Sequence, residues 1–216
     1  LLLVRKDLLG QREEHGILLV DMGAEEGRVA SNRRRDLPIV PLRHPPDQRP
    51  PHLVLLPHNS QRTDFFWEAV PLERWGPLLF TSLDPVFPLA EGLRPLQERL
   101  AWLPLDALVP DPTGAREYLL PATWALYCDN YLEGFHVPFV HPDLSRALDF
   151  DGYRTETYRW SSLQIGVAAQ GEDAFDLPAS SPDHGQRIAA YYFWLFPNTM
   201  LNFYPWGLSV NVVVPL

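Results

Sequence analysis

The stretch 189–216, AAYYFWLFPNTMLNFYPWGLSVNVVVPL, narrows the possible folds more than any other part of this chain. It is dense in aromatic and β-branched residues, which suit a pleated, half-buried surface. Pro197-Asn198 and Pro205-Trp206-Gly207 interrupt it, and proline beside asparagine or glycine marks tight turns. The segment reads as two or three strands joined by short turns. Residues 153–168 also read as strands. Residues 170–187, QGEDAFDLPASSPDHGQR, are polar with Pro and Gly and read as a loop, a candidate lid.

Upstream the pattern changes. Leu93, Leu96, Leu100 and Leu103 recur at helical spacing within 88–103. The stretch EYLLPATWALYCDNYLEGFH starts as a strand and becomes a helix near Trp124. Residues 1–30 alternate apolar runs with Gly and charged turns, and read as short antiparallel strands. Residues 31–52 hold Arg33-Arg34-Arg35 and the Pro-rich LRHPPDQRPPH, a loop. A short buried strand is expected at 53–56, a polar turn at 57–64 and a strand around Leu78–Ser82. Asp84-Pro85 then stops the pattern and marks a domain boundary. The fold class expected is α+β: a small β domain over 1–85, and over 86–216 an antiparallel sheet with helices packed on it. The chain starts at Leu1 and stops at Val213-Val214-Pro215-Leu216 inside a strand, so the second domain is expected to be incomplete at its C-terminus.

Composition excludes some functions. The net charge is −9, which lacks the basic footprint of a nucleic-acid binder. No apolar run approaches the ~20 residues needed to span a bilayer, and no signal peptide is legible. Cys128 is the one cysteine, so no intrachain disulfide can form, which fits a cytoplasmic setting.

The chemistry concentrates in CDNYLEGFHVPFVHP, residues 128–142. Glu133, His136 and His141 stand at i, i+3 and i+8. On a helix Glu133 and His136 would share a face. Pro138 would end or kink that helix, letting His141 swing back toward the same point. Two converging imidazoles can hold Fe(II) or Zn(II). The nearby carboxylate could be a ligand, or could fix a histidine tautomer from outside the ligand set. Asp129 lies one turn before Glu133 and adds a second acid to the stripe. The plainer alternative is a pair of solvated or hydrogen-bonded histidines. Cys128 reads as a small buried hydrophobe rather than a ligand. Tyr191, Phe193, Phe203, Tyr204 and Trp206 read as sheet core, some of which could line an apolar pocket.

WALYCDNYLEGFHVPFVHPDL resembles the mononuclear-iron motif of Rieske non-haem iron oxygenase α subunits, the ring-hydroxylating oxygenases. YYFWLFPNTMLNFYPWGLSVNVVVPL resembles the strands that follow it, and RWGPLLFTSLDP the strand that closes the Rieske domain. The resemblance implies that His136 and His141 bind mononuclear Fe(II). Glu133 would be the acid that links the iron to a neighbouring subunit's cluster, and Asp129 would lie near the iron. The third ligand, an aspartate on a later helix, would come after Leu216. An apolar or aromatic small molecule and O2 would be the substrates, as in aromatic compound catabolism, with Phe135, Phe193 and Phe203 as candidate wall residues. A homo-oligomer, a trimer, is implied.

One departure is plain in the residues. A Rieske [2Fe-2S] cluster needs two Cys and two His. The nearest counterparts here are Leu42-Arg43-His44 and Leu56-Pro57-His58, with leucine at each cysteine position. No [2Fe-2S] cluster is expected in this chain, and His44, His52 and His58 read as surface or turn residues. Residues 1–85 would then be a degenerate, cluster-less Rieske-like domain. Electrons would come from a reductase or a cluster-bearing partner subunit. The alternatives are a mononuclear metalloenzyme with another electron source, or an inactive paralogue that binds a small molecule or serves as a structural subunit.

Overall fold

The computed structural model describes residues 2–11, 18–21, 52–54, 69–82 and 85–215, with side chains described from residue 72 onward apart from 83, 84 and 112. The loop expected at 31–52, the turn at 57–64 and both Leu-x-His stretches lie outside the described residues.

Eleven strands and four α-helices occur among the described residues, an α+β fold. The strands are β1 (Leu2–Gln11), β2 (Leu18–Asp21), β3 (His52–Val54), β4 (Ala69–Trp75), β5 (Leu78–Thr81), β6 (Leu108–Leu120), β7 (Leu148–Thr157), β8 (Ser161–Ala168), β9 (Ile188–Leu195), β10 (Thr199–Tyr204) and β11 (Gly207–Pro215). The helices are α1 (Leu89–Arg99), α2 (Trp124–Leu132), α3 (Val137–Val140) and α4 (Pro142–Ala147). The turn residues of 189–216 separate β9, β10 and β11 where expected.

These last strands form the middle of a seven-stranded sheet ordered β6-β1-β11-β10-β9-β8-β7, in which every neighbouring pair is antiparallel. The prolines of β6 lie on an edge strand, where a missing backbone donor is tolerated. Two expectations about the N-terminus need correction. β1 is not part of the small β domain, because it pairs with β11 and β6 inside the large sheet. β2 runs parallel to β5 in a four-stranded sheet ordered β2-β5-β4-β3, not antiparallel. Pairing partners this far apart in sequence leave no local signature.

Helix α1 lays Leu93 and Leu96 on one face of the large sheet. There they join Leu163, Ile165, Phe193, Leu201 and Phe203, together with Leu78 and Phe80 of β5. The 170–187 loop is pinned rather than hinged. Asp183, 2% exposed, receives hydrogen bonds from Arg99 (2.9 Å), Arg154 (3.1 Å) and Tyr191 (2.9 Å). Helix α2 covers the opposite face.

Candidate metal centre

Helix α2 starts at Thr123, whose hydroxyl accepts a hydrogen bond from the Leu126 N–H (3.3 Å), an N-cap that satisfies one orphan donor. Trp124, Tyr127, Cys128 and Tyr131, at i, i+3, i+4 and i+7, face the sheet and pack with Met200, Val213 and Trp194. Cys128 is buried, as expected, with its thiol against the Pro197 carbonyl.

The helix stops at Leu132. Glu133 is extended (φ −111°, ψ 147°), so it and His136 do not meet on a shared helix face as expected. They meet through a turn. One carboxylate oxygen of Glu133 accepts from the backbone N–H groups of Phe135 (2.5 Å) and His136 (3.2 Å). The other contacts His136 Nδ1. Pro138 does not end the helix either. It sits in the first turn of α3, where its missing N–H costs nothing. His141 follows α3 and precedes α4, its N–H bonded to the Val137 carbonyl (3.0 Å). The chain thus folds back, and the two imidazole centroids lie 5.1 Å apart at 74°.

That spacing can be tested against a shared ion. Two imidazoles bound at ~2.1 Å to one ion have ring centres roughly 5 Å apart, and the observed pair matches. A carboxylate accepts, so Glu133 favours the tautomer with the proton on Nδ1, which leaves the Nε2 lone pair for a metal. Glu133 is placed to orient His136 rather than to bind beside it. Burial pushes the Glu133 carboxyl up, but hydrogen bonds from the His136 ring and the two backbone N–H groups outweigh it and hold it below its ordinary value. Glu133 therefore stays an anion at neutral pH. Tyr153, whose ring packs against Gly134, is pushed up to about 12 by burial and by Glu133, and stays neutral.

The other expected residues divide. Phe135 is beside the turn and 86% exposed. Asp129 is exposed on α2. Asp143 is exposed and pairs with Arg146. Among the described residues no three His, Cys, Asp or Glu side chains come together as a metal site, and the two histidines stand as a pair. Phe193 and Phe203 are not beside the histidines. They are buried in the core on the α1 face, and Phe203 meets Trp75 edge-on. Strand alternation explains the error: one residue along, Tyr192, Trp194, Asn202 and Tyr204 face α2. The sequence reading also missed Tyr131, Tyr153, Gln164 and Asn202; the local signal was the two amides, Gln164 and Asn202, standing inside otherwise apolar strands.

The family description "ring hydroxylating alpha subunit (catalytic domain)" matches residues 105–216, just over half of the chain and including both histidines. The chain belongs to this family. The chain is 39% identical over 105 residues to the chloroplastic choline monooxygenase of Arabidopsis thaliana, covering 47% of this chain and 23% of that protein. It is 34% identical over 96 residues to the carnitine monooxygenase oxygenase subunit of Acinetobacter pittii, covering 43% and 24%. A solved structure of the quaternary ammonium Rieske monooxygenase CntA with an inhibitor overlays with a TM-score of 0.46 at 19% identity, covering 68% of this chain and 42% of that one. The matched stretches span about a quarter of the two curated relatives. An aromatic substrate, and hence aromatic compound catabolism, has no counterpart in the relatives' names, which are those of choline and carnitine enzymes.

A Rieske cluster does not fit the residues of this chain. Two cysteine thiolates are needed, and the one cysteine of the chain, Cys128, is buried between its own helix α2 and the sheet.

Proposed function

We propose that this chain carries the histidine half of a mononuclear non-haem Fe(II) centre in an oxygenase, an oxidoreductase. His136 would bind through Nε2 and His141 through its imidazole, with a carboxylate from elsewhere as third ligand. The observation that carries this reading is the pair of imidazoles 5.1 Å apart with a carboxylate on the outer nitrogen of one. Two neutral imidazoles and a carboxylate suit Fe(II) and leave positions open. Bound there, the metal would supply O2 activation. This chain's own residues hold the site: Glu133 keeps the His136 proton on Nδ1, and the Pro138 turn brings His141 back.

The substrate proposed is a small quaternary ammonium compound rather than an apolar aromatic one. The names of the relatives support this, as does the polar, tyrosine-rich face under α2. Electrons are proposed to come from a reductase or from a cluster-bearing partner subunit, with Glu133 on their route, and Asp129 beside the iron. A homo-oligomer, a trimer, in the cytoplasm completes the proposal. No described helix is long and apolar enough to cross a membrane. The four-stranded sheet is proposed to descend from a Rieske domain that has lost its cluster.

The test is iron content after anaerobic loading of the full chain with Fe(II), then O2 uptake with a reductase and choline, carnitine or benzoate. Near-stoichiometric iron, lost in His136→Ala, is expected, with uptake coupled to the quaternary ammonium compounds. Full iron in His136→Ala would remove the ligand assignment. No iron on the wild type would favour the inactive, small-molecule-binding or structural paralogue.

A further inference from the structure

Two buried amides stand on the α2 face of the large sheet, Gln164 on β8 at 3% exposure and Asn202 on β10 at 6%. A buried amide is costly unless its polar atoms are paired, and an aliphatic residue would serve packing better. Both amides are paired, and both to tyrosines. Tyr153 of β7 donates to Gln164 Oε1 (2.7 Å), Gln164 Nε2 donates to the Tyr131 carbonyl (2.7 Å), and the Tyr131 hydroxyl donates to Asn202 Oδ1 (2.6 Å). A carbonyl can only accept, so the Gln164 amide has one possible orientation.

The Tyr131 carbonyl belongs to the last turn of α2, where carbonyls run out of helical donors. Were the helix to continue, its donor would be the Phe135 N–H. That N–H goes instead to Glu133. Gln164 therefore takes the place of the next helical turn. It ends α2 at Leu132 and frees the Phe135 N–H for the carboxylate that holds His136. Tyr153 contributes twice: its hydroxyl orients Gln164, and its ring abuts Gly134, where an added Cβ would lie 3.2 Å from Cε1.

We infer that Tyr153, Gln164, Tyr131 and Asn202 form a positioning relay that stops α2 and sets the Glu133–His136 turn, and thereby the geometry of the His136 nitrogen offered to the metal. The inference rests on the reading of His136 as a ligand. None of the four touches the reacting atoms, and each acts through Glu133.

The experiment reads two quantities on the full chain: the His136 tautomer, by long-range 15N NMR of the metal-free protein, and the Fe(II) dissociation constant against a competing chelator. In Gln164→Leu the Nδ1–H tautomer loses its dominance and the dissociation constant rises roughly tenfold to hundredfold, as for partners outside the ligand set generally. Tyr153→Phe, which keeps the ring, shifts both in the same direction by less. Tyr191→Phe removes a buried hydrogen bond on the other face and leaves both unchanged. Wild-type tautomer and affinity in folded Gln164→Leu would overturn the relay. If Gln164→Leu does not fold, unchanged values in Tyr153→Phe would do so. Equal shifts in Tyr191→Phe would also overturn it, since a general loosening would then suffice. A wild type that takes up no iron defeats the proposed function alone, because the tautomer is read without metal.

Discussion

The two faces of the seven-stranded sheet are made by the same strands, one residue out of step. Toward α1 the strands present Leu163, Ile165, Phe193, Leu201, Phe203 and Val210, all at 1% exposure or less. Toward α2 they present Gln164, Tyr192, Trp194, Asn202, Tyr204 and Ser209. The first face is a core of apolar side chains closed by an ionic clamp at its edge. The second has a small apolar cluster around Cys128, Met200 and Val213, and the rest is amides, hydroxyls and tyrosines. On that face Ser162, Ser209 and Asn211 keep side-chain polar atoms without a hydrogen-bond partner among the described residues. A buried polar side chain adds less to packing than an aliphatic one of its size, so the second face, rich in amides and hydroxyls, is less optimised for packing than the first. The division of labour follows: the α1 face supplies most of the stability, and the α2 face carries the proposed site.

The sharpest way to break that comparison is a large truncation on the apolar face. Phe203→Ala empties a position with no exposure and should cost about 3–5 kcal/mol in chemical denaturation. Its folded fraction should keep wild-type iron affinity. His136→Ala should do the reverse, with iron lost and stability nearly unchanged. If Phe203→Ala weakened iron binding in the folded fraction, the faces would not be separate.

How much of this was legible depends on how local the cause is. The turns at Pro197-Asn198 and Pro205-Trp206-Gly207, the helix starting at Trp124 and the loop at 170–187 are written in neighbouring residues, and they stand where the pattern puts them. The pairing of β1 with β11 was not legible, because nothing near Leu2 names a partner near Pro215. The i, i+3 spacing pointed to an acid and a histidine that the structure does join, but through a turn rather than on one helix face. The helix ends at Leu132 because of Gln164, whose side chain comes from β8, the second strand after the helix, and not from the motif itself. Phe193 and Phe203 were assigned to the site because alternation tells that two faces exist, not which one lies under α2.

The next effect in size tests the clamp. Asp183→Asn leaves Arg99 with Glu156 alone and Arg154 partly in water, and should cost ~2–3 kcal/mol, below a fully buried pair broken outright. The same cluster predicts an acid limb. Burial pushes the Glu156 carboxyl up, but hydrogen bonds from Tyr158 and Arg99 outweigh it and hold it below its ordinary value. A carboxyl lowered in the folded state contributes stability above its ordinary value, and loses it as pH falls through the folded value. Melting temperature should therefore drop as pH falls below roughly 4, and Glu156→Gln should flatten that drop. An unchanged slope in Glu156→Gln would place the acid sensitivity elsewhere.

The smallest effect on stability is expected at the residue where the two faces differ most in meaning. Phe135 is 86% exposed beside Glu133 and His136, whereas Phe193, also expected to line the site, is 1% exposed on the other face. An exposed phenylalanine contributes little to folding, so Phe135→Ser should change stability by no more than about 0.5 kcal/mol. Any effect it has on substrate KM then reports on the site and not on the fold. A several-fold rise in KM at constant melting temperature would place Phe135 on the substrate's path. A drop of several degrees in melting temperature would mean that Phe135 packs against something that stabilises the chain, and the α2 face would have to be counted as core as well as site.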